Sequence, residues 1–397
     1  MFSKKSIILA ILFSLFIYSE YFGVSNKLIN SIAILYSYYL IFRLDKKELF
    51  GSGFIIGLLW FWWMGYSFIY YDLSYLIPII LVAVASAYGL LFYLGGIFNN
   101  ILYRLIYFIA FSYLEPFGFN WLKLELPLID SYFGTSKIEF IILLSLSAYL
   151  AYSKIIKKRD VAIYTIALIG LYFFHHLNTP ILKKSDLKIN LNNTNIAQEI
   201  KWDNRYLPKI LQDNLANIEK SIKAKDDIII FPETSFPLIL NRQPKLLDML
   251  LEYSNDISIV LGALYEKDGF IYNSTYLFEN NKMQIANKVV LVPFGEAVPL
   301  PKLLRDFIND SFYGGAEDYK TAKKPTTFTI KGVKFRNAIC YEATTDKIYE
   351  NLDTSYAIAT SNNAWFIPSI QPTLQKLLLR YYSDKYHIYI YSVTNGK

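Results

Sequence analysis

Apolar and polar positions are distributed very differently in the two halves of the chain. Up to about residue 177 the apolar positions form long runs, at roughly 6–22, 28–42, 53–71, 74–97, 101–114, 138–153 and 161–177. A helix needs about 20 apolar residues to cross a bilayer, so the longer runs predict membrane spans. The second and fifth runs are short and would have to tilt or re-enter. About seven transmembrane helices are therefore expected.

From about Asp186 onward the runs shorten into the pieces of a soluble domain. The pattern predicts strands over 187–196 and "DDIIIF" (226–231), with an amphipathic helix over 205–225 between them. A helix over 244–255, a strand over 256–266 and strands around 270–280 and 283–292 follow. After a loop holding Gly314 and Gly315 come strands 326–330, 333–340 and 355–360, a helix over 370–383 and a strand over 386–393. Helices interleaved with mostly apolar strands predict a layered α/β sandwich. The expected organisation is a multi-span membrane domain at 1–177 and an α/β domain at 178–397.

Composition agrees with a membrane protein: 54% of the residues are hydrophobic and only 18% are charged. The net charge of +7 does not point to nucleic acid, because the basic residues gather beside apolar segments. With Lys4 and Lys5 in the cytoplasm, Arg43, Lys46, Lys47, Lys154, Lys157, Lys158 and Arg159 fall on the same side. The opposite short loops carry only Lys27, Lys123 and Lys137. This bias predicts an α/β domain outside the cytoplasm, and losing one segment would invert it. Residues 4–20 also fit a signal peptide, but "SEYFGVSNK" lacks a small-x-small cleavage site, so a retained first helix is expected. The aromatic loop 115–137 reads either as an interfacial loop anchored by Trp121 or as an access route for a lipid. A transporter is disfavoured, since Arg104 is the one ionisable residue placed centrally in an apolar segment.

A single cysteine, Cys340, excludes an intrachain disulfide and a zinc cluster built on cysteines. His175, His176 and His387 have no metal-ligand spacing, so neither a metal nor another cofactor is expected. Three reactive groups stand at predicted strand ends. Glu233 follows "IIIFP", Lys288 opens "KVVLVPFGE", and Cys340 closes "KFRNAIC" before "YEATTDKIYENL", read as a helix capped by Thr344 or Thr345. Taken singly, Glu233 reads as a cap, Lys288 as a solvated charge and Cys340 as a core residue. Reactive groups of α/β sheets gather at strand ends, however, and these three together would make an acyl-transfer site. The cysteine would be the nucleophile near backbone amides, the carboxylate its base and the ammonium the partner of an oxyanion.

With their flanking words, these residues resemble the nitrilase, or carbon-nitrogen hydrolase, superfamily. The resemblance implies an αββα domain with Glu233 as general base, Lys288 as oxyanion-stabilising cation and Cys340 as nucleophile. "NKVVLVPFGEAVPL" (287–300), "ICYEA" (339–343) and "NNAWF" (362–366), behind a multi-span half, resemble the apolipoprotein N-acyltransferase family more narrowly. "LNNTNIAQEIKWD" (191–203) and "GFNW" (118–121) extend that likeness. It implies transfer of a fatty acyl chain from a phospholipid to the N-terminal cysteine amine of a diacylated apolipoprotein, through a thioester on Cys340. It also implies a bacterial inner-membrane enzyme with its catalytic domain on the periplasmic side and no nucleic-acid partner. Glu296, Tyr341 and Glu342 would support the site, and Trp121, Trp365 and Phe366 would contact the acyl chain or mobile loops.

Asn363 stands where that family usually has Asp, and "YIYSVTNGK" ends where the family's domain continues into further strands and a last helix. A domain truncated at its C-terminus is therefore expected. Two rival readings remain at this point: a membrane-tethered amidase or nitrilase acting on a small amide, and a truncated, inactive pseudoenzyme.

Overall fold

The computed structural model describes residues 2–153, 157–293, 295–296 and 319–396. Lys154, Gly314, Gly315 and, within "NKVVLVPFGEAVPL" (287–300), Phe294 and residues 297–300 lie outside the described residues. The chain divides into two compact units. One comprises residues 1–116, 120–181 and 368–385, the other residues 117–119, 182–367 and 386–397.

The first unit is helical: α1 (Lys4–Tyr21), α2 (Lys27–Arg43), α3 (Lys46–Phe61), α4 (Ile77–Ile97), α5 (Ile101–Phe111), α6 (Lys137–Tyr152) and α7 (Lys158–Asn178). These fall on the seven apolar runs. Among the described residues, three stretches, Lys46–Tyr70, Ser74–Ile97 and Lys158–Asn178, are long and apolar enough to cross a membrane by length and composition. Asn26 caps α2 by accepting from the Leu28 and Ile29 amides, and Asp45 with Glu48 forms a capping box at α3.

Glycines bring α3 and α4 together. A Cβ on Gly53 would lie 2.6 Å from the Tyr88 carbonyl oxygen, and one on Gly57 would lie 2.9 Å from the Ala85 Cα. Small residues permit this approach, which gives apolar helices dispersion contacts where lipid supplies no hydrophobic drive. Arg104, buried on α5, donates to the carbonyls of Phe42 (3.2 Å), Leu44 (3.0 Å), Gly96 (3.3 Å) and Phe98 (3.2 Å). It thus satisfies carbonyls that helix ends otherwise leave without partners. Its role is to join the ends of α2 and α4.

The second unit contains two sheets. Strands β1 (Ile189–Leu191), β2 (Ile228–Ile230), β3 (Phe236–Ile239), β4 (Ser258–Lys267), β5 (Phe270–Glu279) and β6 (Lys282–Asn287) form the first. Its order is β1-β2-β4-β5-β6, with β3 also on β4. Strands β7 (Thr327–Ile330), β8 (Val333–Ile339), β9 (Tyr356–Asn362) and β10 (Tyr389–Asn395) form the second, in the order β10-β9-β8-β7. The short helix α8 (Gln198–Lys201) and helices α9 (Leu207–Lys223) and α10 (Pro244–Tyr253) complete it.

Strand periodicity explains the layering. Ile228 and Ile230 of β2 pack with Val260, Leu277, Phe335, Ile358 and Val393 between the sheets. Ile229 and Phe231 point the opposite way, into a core with Ile218 of α9 and Leu250 of α10. Each fully buried side chain of this kind contributes about 1.5–3 kcal/mol.

Several local expectations change. The strand read over 187–196 shortens to β1, and the one read over 283–292 ends at Asn287, where the Lys288 amide turns to the Asn273 carbonyl. Strand β3 was hidden in the proline-bearing "FPETSFPL"; its irregular parallel pairing, Phe236 with Ala263 and Ile239 with Leu264, accommodates Pro237. The helix read after Cys340 is two 3₁₀ turns, Cys340–Thr344 and Asp346–Tyr349. The Thr344 and Thr345 hydroxyls donate to the Tyr341 and Glu342 carbonyls, and Thr345, which precedes the second turn, makes no side-chain cap. The helix Gln371–Tyr386 lies where the pattern put it, but residues 368–385 group with the first unit.

Candidate active site

Glu233 follows β2 on a tight turn whose next residue, Thr234, has φ +46°. Gly262 of β4 passes directly beneath, where a Cβ would lie 2.4 Å from the Thr234 nitrogen and 2.7 Å from the Pro232 oxygen. The Glu233 carboxylate is buried and held on both oxygens. Oε1 accepts from Asn273 Nδ2 at 2.8 Å, and Oε2 accepts from the Asn362 amide at 2.9 Å.

Lys288, fully buried just after β6, lies between two carboxylates. Its Nζ is 2.7 Å from Glu296 Oε2, 2.8 Å from Glu296 Oε1 and 3.6 Å from Glu233 Oε1. Burial alone would push the ammonium down, yet Glu296, Glu233 and Cys340 outweigh it and hold Lys288 above the usual lysine range. The group stays cationic throughout the neutral range. Glu296 is steadied by the Val292 amide at 2.9 Å and by Asn273 Nδ2 at 3.2 Å.

Cys340 directly follows β8 and opens the first 3₁₀ turn with φ +55°, a left-handed conformation rare for a residue with a side chain. Such strain costs about 1–3 kcal/mol and is found where a side chain must be aimed. Burial pushes the thiol well up, the negative charges of Glu233 and Glu296 add to this, and Lys288 with the Asn362 backbone opposes it. These influences together favour the protonated thiol at rest. A base has to remove its proton, and Glu233 is among the groups acting on it.

Glu342 is fully buried two residues later. Its Oε1 accepts from the Ile339 amide at 2.8 Å, and its Oε2 accepts from the Val289 and Val290 amides at 2.6 and 3.0 Å. One side chain thus ties the cysteine turn to the segment following Lys288. Burial raises its carboxyl to about 7, against the opposing influence of Lys288 and the three amides. Tyr341 is buried, stacks on Phe119 at 5.9 Å and donates its hydroxyl to the Gly118 carbonyl at 2.7 Å.

The structure thus brings Glu233, Lys288, Cys340, Glu296 and Glu342 into one site. Trp365 and Phe366 lie half-buried on the 3₁₀ turn Asn363–Phe366 of the same unit. Trp121 belongs to the first unit, buried with its ring 5.3 Å from that of Trp63.

Sequence reasoning passed over the residues that hold these groups. Asn273, in mid-β5, bridges Glu233 and Glu296. Asn362 has its side chain between Gln198 Oε1 (3.1 Å) and Asn395 Nδ2 (2.8 Å). Asn395 is itself fixed by Thr194 and Ile196. The available signal was polar residues within otherwise apolar strands, which must find partners when buried.

The fold and site define a carbon-nitrogen hydrolase-type α/β unit accompanied by a helical membrane unit. Residues 197–397 match the carbon-nitrogen hydrolase family model, and residues 1–176 match the apolipoprotein N-acyltransferase integral membrane domain. A Wolinella succinogenes protein named apolipoprotein N-acyltransferase is 41% identical over 388 residues, spanning 97% of this chain and 92% of that protein. A Helicobacter pylori protein of the same name is 37% identical over 348 residues, 87% of this chain and 80% of its own. The chain belongs to the apolipoprotein N-acyltransferase family and is an integral membrane protein. The small-amide and pseudoenzyme readings are not favoured.

Proposed function

We propose that this protein is a phospholipid-dependent N-acyltransferase acting on the N-terminal cysteine amine of diacylated apolipoproteins, with Glu233, Lys288 and Cys340 as its catalytic residues. Glu233 takes the Cys340 proton as the sulfur attacks the ester carbonyl of the phospholipid. The oxyanion that forms is stabilised by the Lys288 ammonium. As the tetrahedral intermediate collapses, protonated Glu233 returns the proton to the departing lysophospholipid oxygen, leaving a thioester on Cys340. The apolipoprotein amine then attacks the thioester, Glu233 accepts the amine proton, and the Cys340 sulfur leaves and recovers a proton as the amide forms.

The observation that carries this reading is the buried Lys288 between Glu233 and Glu296, among the charges acting on a strained Cys340, in a chain whose other unit is a membrane domain. Both substrates reside in membranes, which accounts for coupling an acyl-transfer unit to a helical one. The family membership also supports placement in a bacterial inner membrane with the catalytic unit on the periplasmic side.

The test supplies full-length protein with phospholipid and a diacylglyceryl-cysteinyl peptide, and follows the peptide mass. N-acylated peptide is expected from the native chain and not from Cys340→Ser. Small-amide hydrolysis with no acylated peptide would overturn the proposal.

A further inference from the structure

Lys201, the last residue of α8, is 1% exposed. Its Nζ donates to the Glu233 backbone carbonyl at 3.0 Å, and among the described residues no carboxylate forms an ion pair with it. Burying an ammonium without a counter-ion destabilises a fold. A lysine kept in this way needs a reason beyond stability, and its surroundings supply one.

The pocket holds the Glu233 and Glu296 carboxylates, with Glu342 beyond the cysteine turn, around the Lys288 ammonium. The acidic groups outnumber that cation beside a sulfur that must itself become negative. A second cation lessens the excess. Lys201 is bonded to the Glu233 backbone, and both Glu233 and Cys340 act on its charge. It also shares its turn of helix with Gln198, which accepts from the Asn362 side chain, while the Asn362 amide holds Glu233 Oε2. One helical turn therefore fixes the base from both sides, since residues three apart share a helix face.

We infer that Lys201 is a positioning residue of the site: it anchors the Glu233 backbone and supplies a second cation to the pocket in which the Cys340 thiolate forms. The inference rests on the roles proposed above for Glu233 and Cys340.

Titration gives it a signature. Burial lowers Lys201 to about 7, with Glu233 and Cys340 opposing. On its own segment, Glu199 is exposed and Asp203 is tied to Arg205; from the other elements Glu233, Cys340, Lys288 and Glu296 face the pocket, and Glu342, which titrates at about 7, is common to native protein and variants and cancels in their ratio. Lys201 is therefore cationic below about pH 7 and increasingly neutral above it, so its help to Cys340 fades as pH rises through that value.

Because Cys340 is the only cysteine, iodoacetamide alkylation of the full-length protein reads its reactivity without any lipid substrate. At pH 6, native protein is expected to react about ten- to a hundredfold faster than Lys201→Met. The ratio should fall toward one by about pH 8.5, as the pocket cation is lost from the native protein. Lys201→Arg, a permanent cation, should retain the fast reaction and remove the decline. The melting temperature of Lys201→Met should be unchanged or higher at pH 6, since a buried charge is gone.

Equal rates at pH 6, or a ratio independent of pH together with a lower melting temperature, would overturn the inference and leave Lys201 a structural residue. If Lys201→Met fails to fold, a native pH profile indistinguishable from that of Lys201→Arg overturns it instead. Phospholipid acylation run in parallel separates the two claims. A missing acyl adduct on native protein with the alkylation pattern intact refutes the proposed function alone; equal adduct formation by native protein and Lys201→Met refutes the role of Lys201 alone.

Discussion

Replacing Glu296 with Gln removes one charge from the site while keeping the side chain's shape. Lys288 then loses a partner that contacts it through both oxygens, at 2.7 and 2.8 Å, and retains only Glu233 at 3.6 Å. With an effective dielectric of about 20, these charge pairs are worth about 6 and about 5 kcal/mol before desolvation and relaxation. Breaking a buried pair costs about 3–5 kcal/mol net, and the remaining Glu233 contact reduces this to about 2–4 kcal/mol. Activity should suffer as well as stability. Glu233 becomes the sole counter-ion of Lys288, and a carboxylate committed to an ion pair is a poorer base. Acyl-adduct formation on Cys340 should slow by about a hundredfold or more, close to the effect of losing one preorganised electrostatic partner. Quenched mass spectrometry of the protein with phospholipid measures the rate, and thermal denaturation in the same detergent measures stability. A Glu296→Gln protein that acylates at the native rate and melts at the native temperature would refute the view that Glu296 sets the charge state of the site.

Asn273→Ala removes the donor shared by Glu233 and Glu296 and should slow adduct formation about tenfold or more while costing about 1–2 kcal/mol, both read in the same two assays. Gly262→Ala places a methyl group 2.4 Å from the Thr234 nitrogen, so it should lower the melting temperature and acylation together. Glu342 should leave a mark on the pH dependence of stability. Its folded carboxyl, raised to about 7 from 4.5, holds its proton where the unfolded group has released it. Its contribution is full below about pH 4.5 and is lost as pH rises through about 7, and melting curves across that window should lose this slope in Glu342→Gln.

What the sequence disclosed followed from local periodicity and from words. The apolar runs located α1 to α7, and the unbroken apolar run in "DDIIIF" located β2 because each face of that strand meets a different core. Glu233, Lys288 and Cys340 were visible because each closes or follows a strand beside a specific motif. Asn273 and Asn362 were not, since their importance lies in partners far along the chain. Lys201 within "QEIKWD" carries no local mark of burial, since only the tertiary fold buries it. Likewise the pattern over 370–383 gave a helix without revealing that residues 368–385 group with the helical unit.

The central claim is that Cys340 carries an acyl group taken from phospholipid. Intact-mass spectrometry of the full-length protein after incubation with phospholipid, beside Cys340→Ala, tests it directly. The account predicts a mass gain of one acyl chain on the native protein, removed by hydroxylamine and absent from the variant. No adduct on folded native protein, or an adduct that persists on Cys340→Ala, would contradict it.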